Sequence, residues 1–333
     1  MRAPNFWYQR TGVAARLLTP LAALYAFGTA RRLRREPKHR PSIPVICVGN
    51  INAGGTGKTP TVIALAQYLQ STDSNPHIVS RGYGGNLEGP LKVDERRHSA
   101  KDVGDEPLLL SSFATTWIAR DRSLGVAMAE KAGANVILLD DGHQNPDIPK
   151  DLSIVVVDAR RGFGNGHVIP AGPLREPVQS GLDRTDLVAL IGTEQERQQF
   201  LKETQLHKAT PILQGELIPL ATGMPWAGMR VLAFAGIGHP EKFFDTLRRL
   251  GAEVIRGVAL TDHQALSVGL LKRLEREAKL RVAQLVTTEK DAARLPPSFR
   301  QKVITLPVRL QFSDNTPLKE ALSENIISKP KRN

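Results

Sequence analysis

From Ser42 onward, short uninterrupted apolar runs alternate with stretches of helical periodicity. The run Val45-Ile46-Cys47-Val48 predicts a buried strand, followed by a glycine-rich loop and a helix over 60–69. Pro60 suits an early helical turn, where its missing N–H costs nothing. Further strands are expected at 77–80, 136–139, 154–157 and 187–191. Their continuous Val/Ile/Leu character, rather than strict alternation, is what a parallel sheet covered on both faces demands. A second series begins after Pro225, with strands at 231–235, 253–258, 283–287 and 303–307 and helices at 241–250 and 266–280. The expected fold class is α/β, a three-layer α/β/α core with a mostly parallel sheet and a second, smaller α/β lobe. The division falls near 210–230, giving an N-terminal segment at 1–40, a core at 41–220 and a C-terminal lobe at 221–333.

The N-terminal segment obeys a different pattern. Residues 17–30 carry no charge, and Phe6, Trp7 and Tyr8 precede them. A spanning helix needs roughly 20 apolar residues, so this stretch is short for one, and Pro20 is expected to interrupt it. Arg31, Arg32, Arg34, Arg35, Lys38 and Arg40 follow directly. An apolar patch beside a polybasic cluster holds a protein on an anionic membrane surface, at about 1 kcal/mol per basic residue. The order also argues against a signal peptide, because the strong positive charge follows the apolar stretch. The alternative is a helix packed on the protein's own body.

Charge sharpens this picture. The formal net charge is +12, yet residues 1–40 hold nine Lys/Arg against one acid, Glu36, and 329–332 hold three more bases. The body between is nearly neutral, whereas a nucleic-acid binder spreads basic charge over a folded face. Hydrophobic residues at 41% and charged residues at 23% are ordinary for a soluble globular chain. The single cysteine, Cys47, lies in an apolar run and reads as a buried thiol.

The chemistry is concentrated in the first glycine-rich loop. Asn52-Ala53-Gly54-Gly55-Thr56-Gly57-Lys58-Thr59 fills the eight places of the G-x-x-x-x-G-K-[ST] phosphate-loop pattern, with Asn52 in place of the first glycine. Asn tolerates left-handed backbone better than most residues, so the turn remains feasible. Consecutive N–H groups at a helix N-terminus make a nest for phosphate oxygens. Lys58 is expected to reach the β- and γ-phosphates, and the Thr59 hydroxyl to ligate Mg²⁺. Asp140 and Asp141, closing the run 136–139, are the expected acidic partners of that metal, although Asp-Asp-Gly also makes a turn. The core is thus expected to be that of a P-loop NTPase, with ATP and Mg²⁺ as cofactors.

Spacing narrows the class. The nearest string to a guanine-reading N-K-x-D is Thr288-Glu289-Lys290-Asp291, where the lysine abuts the aspartate. The partitioning ATPases place a signature lysine before the paired glycines, where this chain has Ala53. The pattern points to a small-molecule or lipid kinase. The rival reading is a soluble P-loop ATPase whose basic N-terminus binds a protein or nucleic acid.

Beyond the loop, the chain carries Asn5-Phe6-Trp7-Tyr8, Arg81-Gly82-Tyr83-Gly84, Gly104-Asp105-Glu106-Pro107, Leu139-Asp140-Asp141-Gly142, Arg175-Glu176-Pro177, Phe234-Ala235-Gly236-Ile237, Asp262-His263 and Thr288-Glu289-Lys290-Asp291. In order and number these strings resemble the tetraacyldisaccharide 4'-kinase family, the lipid A 4'-kinases of Gram-negative bacteria. The resemblance implies transfer of the ATP γ-phosphate to the 4'-hydroxyl of an acylated glucosamine disaccharide 1-phosphate, at the cytoplasmic face of the inner membrane. It implies Asp105 and His263 as the catalytic pair, Asp140 and Asp141 as the Mg²⁺ region, and Arg175 and Glu176 as completing the metal and phosphate site. Neither a nucleic-acid partner nor an obligate protein partner is expected. Where the family often follows Asp-Asp-Gly with an aromatic, Gln and His, this chain has His143-Gln144-Asn145.

The chemistry is consistent with those roles. A sugar hydroxyl is a poor nucleophile at neutral pH, so a positioned carboxylate that takes its proton helps. Asp105 suits that task, with His263 orienting it or passing the proton on, although either residue also suits a helix cap. Arg81 and Tyr83 read equally as substrate contacts or as an ordinary βα loop, and Arg175 with Glu176 as a site pair or as a surface ion pair.

Overall fold

The computed structural model describes residues 4–9, 11–204, 206, 210–261 and 264–327. A 3₁₀ turn at Asn5–Tyr8 and helix α1 (Val13–Leu33) precede strand β1 (Val45–Gly49). Helix α2 (Lys58–Gln70), strands β2 (Pro76–Ser80) and β3 (Leu91–Lys92), and short helices α3 (Ala100–Val103) and α4 (Asp105–Leu110) follow. Next come β4 (Thr116–Ile118), α5 (Arg122–Lys131), β5 (Val136–Asp140), β6 (Leu152–Asp158), α6 (Val178–Leu182), β7 (Leu187–Ile191), α7 (Glu194–Glu203) and β8 (Ile212–Pro219). The second unit holds β9 (Arg230–Ala235), α8 (Pro240–Arg249), β10 (Glu253–Ala259), α9 (Val268–Leu280), β11 (Gln284–Thr288), α10 (Glu289–Ala293), α11 (Pro297–Arg300) and β12 (Val303–Leu306). Strand β13 (Val308–Phe312) and helix α12 (Thr316–Leu322) end the series.

The large sheet runs β13-β8-β7-β6-β1-β5-β2-β4-β3 and is parallel except where β13 meets β8 and β3 meets β4. The period-2 geometry of strands divides its residues between two buried faces. Ile46 and Val48 of β1, with Leu152, Ile154 and Val156 of β6, pack under Val62, Leu65, Ala66 and Leu69 of α2. Val155 and Val157 face the opposite way, toward Ala22 of α1 and Phe200 of α7. The small sheet, β10-β9-β11-β12, repeats the arrangement. Val231, Ala233 and Ala235 pack on Phe243, Phe244 and Leu247 of α8, while Leu232 and Phe234 pack on Leu271 and Leu274 of α9.

Two expectations need correction. The C-terminal lobe was expected to run from 221 to 333, but β13 pairs antiparallel with β8, and Leu318, Ala321 and Leu322 of α12 join the core beneath the large sheet. The small sheet is therefore inserted between two adjacent strands of the large one. Nor does Pro20 break the N-terminal helix, which continues for 21 residues through it. At about 1.5 Å per residue this reaches the thickness of a bilayer core, and the helix is long and apolar enough to cross one by length and composition alone. One face is nevertheless engaged with the body, since Ala15 and Ala22 are buried, while Leu17, Leu24 and Phe27 stand exposed.

The loop after β1 depends on a close approach behind it. A Cβ added to Gly49 would lie 2.5 Å from the Cβ of His143. Gly49→Ala is expected to force β1 and the turn that carries His143 apart and cost about 1–3 kcal/mol. A variant that melts at the parent's temperature would disprove that contact.

Candidate active site

Side chains at the C-terminal ends of β1, β2, β5 and β6 converge on one cleft of about 1160 Å³, closed on its far side by the inserted lobe. Open parallel sheets bind ligands at this edge, where successive connections leave a strand in opposite directions. β1 is such a strand, with β5 on one side and β6 on the other.

The phosphate loop is shaped by its own polar contacts. Gly54 and Gly57 take positive φ (117° and 99°), and Gly57 caps α2, so the loop's N–H groups gather at a helix N-terminus. Buried Asn50 donates from Nδ2 to the Gly54 carbonyl and the Thr56 hydroxyl, both at 3.1 Å. Asn52 does not take up the left-handed backbone that its place in the motif allowed. It forms a β-bridge to Leu174 and donates from Nδ2 to the Gly162 carbonyl at 2.9 Å, anchoring the loop laterally. Ala53 N donates to Pro173 O, and Arg175 N to Ile51 O.

Asp140 and Asp141 end β5 beside this loop and differ sharply in state. Asp141 sits at φ 50°, an uncommon conformation for a non-glycine residue and one that clusters at functional sites. Burial alone would raise its pKa, but Lys58 at 3.7 Å and Arg175 at 2.8 Å hold it well below the usual carboxylate range. Asp140 accepts a hydrogen bond from Ser80 Oγ at 2.9 Å. Its burial, with the carboxylates of Glu106 and Asp141 nearby, pushes it up to about 7. Arg122, buried at the start of α5, faces both aspartates, and its Nε has no hydrogen-bond partner.

A polar chain runs back from the aspartates. Arg175 donates to Asp141 and to Gln144 Oε1, and Gln144 Nε2 donates to Asn50 O at 2.8 Å and to Glu176 Oε1 at 2.9 Å. Arg184 Nη2 closes the chain on both oxygens of Glu176, at 3.0 and 2.8 Å. On the opposite wall Lys290 of the inserted lobe pairs with Glu106 at 2.9 Å. The arrangement can hold a polyphosphate on amides and Lys58, with two carboxylates beside it.

With this geometry the similarities become decisive. A family model described as Tetraacyldisaccharide-1-P 4'-kinase matches residues 14–327. The chain belongs to the tetraacyldisaccharide 4'-kinase family. The tetraacyldisaccharide 4'-kinase of Jannaschia sp. is 60% identical over 324 residues, covering 97% of this chain and 99% of the relative. That of Dinoroseobacter shibae is 59% identical over 328 residues, covering 97% of each. Among solved structures, the crystal structure of LpxK from Aquifex aeolicus in complex with ATP superposes with a TM-score of 0.74 at 26% identity, covering 94% of this chain and 99% of that one.

In this family member the cleft gathers the residues expected from sequence unevenly. Gly54, Gly55, Thr56, Gly57, Lys58, Thr59, Arg81, Tyr83, Asp140, Asp141 and Arg175 all line it. Asp105 is buried as the first residue of α4, with Oδ1 accepting from Glu106 N at 3.0 Å. His263 lies outside the described residues. Glu176, expected as a metal ligand, is instead turned away: it is buried, and both of its oxygens are bound to Arg184. It steadies Gln144. His143 is a packing residue, pushed down to about 4 by burial and by Arg184, with its Nε2 against Gly181 O at 3.1 Å.

Among the described residues no group of three or more His, Cys, Asp or Glu gathers as a metal cage. Mg²⁺ does not require one, because it is bound by one or two carboxylates together with phosphate oxygens and water. The adjacent carboxyl groups of Asp140 and Asp141 at the end of β5 suit that chemistry, Asp140 giving up its proton when the metal binds. Asn50, Arg122 and Gln144 were not singled out from sequence, since their spacing belongs to no phosphate-binding pattern.

Asp140 also fixes a pH dependence. Because its folded pKa is raised, the folded chain holds a proton that the unfolded chain releases, and stability falls as pH rises from about 4 through about 7. Asp140→Asn, measured without divalent metal, is expected to melt above the parent by a margin that widens from about pH 5 to about pH 8. A margin independent of pH would mean that Asp140 ionises normally.

Proposed function

We propose that this chain transfers the γ-phosphate of ATP to the 4'-hydroxyl of a tetraacyldisaccharide 1-phosphate, the kinase step of lipid A biosynthesis. The observation that carries the reading is the convergence of the Lys58 loop and the Asp140–Asp141 pair on one cleft, in a chain that belongs to this family along almost its whole length.

In the reaction the acceptor oxygen bonds to the γ-phosphorus while the bond from that phosphorus to the β,γ-bridging oxygen breaks, leaving ADP. The amides of 54–59 and Lys58 hold the phosphates in line and offset charge on the leaving oxygen. Asp140, Asp141 and Thr59 would hold Mg²⁺, which would supply further charge neutralisation at the phosphates. Asp105 receives the hydroxyl proton, with His263 as its partner. Arg175 and Arg122 keep Asp141 ionised, and Arg81 and Tyr83 face the acceptor. The cleft continues past Asn145 to Tyr25, Arg32, Arg35 and Lys38 at the end of α1, which supports entry of the acylated acceptor from the side of that helix.

The same helix supports docking on an anionic membrane, at the cytoplasmic face of the inner membrane. Val13, Leu17, Leu24 and Phe27 expose apolar surface along it, and Arg31, Arg32, Arg34 and Arg35 crowd its C-terminal end. The rival, an ATPase without a lipid acceptor, lacks a specific observation in its favour.

The test is incubation with ATP, Mg²⁺ and tetraacyldisaccharide 1-phosphate, reading label transferred to the lipid. Lys58→Ala is expected to lower kcat by about 10²–10³-fold, and Asp105→Asn by about 10²–10⁴-fold. A parent that hydrolyses ATP but leaves the lipid unlabelled overturns the reading; a fully active Asp105→Asn removes only the base. Separately, the chain is expected to sediment with vesicles rich in anionic phospholipid and to be released as salt approaches about 1 M, where screening is nearly complete. Equal sedimentation with neutral vesicles would show that the basic cluster plays no part.

A further inference from the structure

Where the inserted lobe meets the phosphate loop, the contact is backbone on backbone. A Cβ on Gly238 would lie 2.8 Å from Gly55 N and 2.9 Å from Gly55 Cα, so the two glycines touch with no side chain between them. Gly238 leads into α8, whose N-cap is His239. Two cations pin this turn. Lys242, in the first turn of α8, places Nζ 3.0 and 2.9 Å from the two oxygens of Asp158. Asp158 ends β6, the neighbour of the strand that carries the loop. Arg161 donates from Nη1 to the Gly238 carbonyl at 3.0 Å.

These groups form one unit. Asp158 Oδ1 also accepts from the N–H groups of Arg160 and Arg161, so the carboxylate that holds Lys242 also shapes the turn that presents Arg161. The ring of Tyr8 stacks on the Arg161 guanidinium at 4.7 Å, limiting its freedom. Each lobe has its own apolar clusters on both faces of its sheet, apart from these contacts. Their effect falls on the loop: Gly55 lies between the two positive-φ glycines, and its amide belongs to the expected phosphate nest.

We infer that Lys242 and Arg161 are positioning residues that hold the Gly238 turn on the phosphate loop, so that the inserted lobe sets the geometry of the loop's amides for ATP. This deepens the kinase reading and rests on it. Gly238 does not have positive φ, so an alanine there is tolerated by the backbone and tests the contact itself.

The experiment measures ATP affinity of the full chain by calorimetry, together with kcat, KM for ATP and KM for the lipid acceptor. Gly238→Ala and Lys242→Met are each expected to weaken ATP binding and raise KM for ATP by about tenfold, since small misplacements of binding groups have effects of that order or larger. KM for the acceptor stays at the parent value. The conservative Lys242→Arg, which keeps the charge against Asp158, is expected to retain the affinity that Lys242→Met loses. Parent-like ATP affinity in both Gly238→Ala and Lys242→Met, or a Lys242→Arg no better than Lys242→Met, overturns the inference. A parent that binds ATP but does not phosphorylate the lipid defeats the kinase reading instead, and the calorimetric comparison tells the two failures apart.

Discussion

Opposite charges taken out of water at the carboxyl edge of one sheet govern the rest of this molecule. Asp141, half-buried, stays ionised because Lys58 and Arg175 lie against it, with Arg122 behind. Removing one partner leaves a charge only partly compensated, at a cost below the ~3–5 kcal/mol of breaking a fully buried pair. Each cation must itself be held, which explains the chain through Gln144 to Glu176 and Arg184. That chain ends on Asn50, the residue that shapes the phosphate loop. The electrostatics of the aspartate pair and the conformation of the loop are therefore one structure.

The two lobes meet on different terms. Within each, apolar side chains fill both faces of a sheet, whereas between them run ion pairs and backbone contacts, with Ala293 against the Leu108 cluster. Lys290 with Glu106 and Lys242 with Asp158 lie on opposite sides of the cleft, and the paired strands β8 and β13 flank the insertion. Half-buried ion pairs are modest in energy and exchange readily with water.

The N-terminal helix follows the same logic on a larger scale. Its small residues, Ala15 and Ala22, allow close approach to the body, and its large apolar residues are left outside. Tyr25 and Arg32 of this helix, with Arg35 just beyond its end, also line the cleft.

Sequence alone determined the elements whose cause is local. Apolar runs located β1, β2, β5, β6 and β7 of the large sheet and the four strands of the small one, though not β3, β4, β8 or β13; the glycines and Lys58-Thr59 located the phosphate loop, and Asp140-Asp141 followed from their place at a strand end. The order of the motifs indicated the family. What sequence could not carry was anything decided by contacts distant in the chain. Asn52 fills a glycine's place because it bonds to Gly162, not because of its own backbone preference. Glu176 looked like a ligand until Arg184 was seen to occupy it, and β13 looked like part of the second lobe until it was seen paired with β8. Burial and pairing belong to the folded chain, and they decide whether a carboxylate binds a metal, steadies a neighbour or retains its proton.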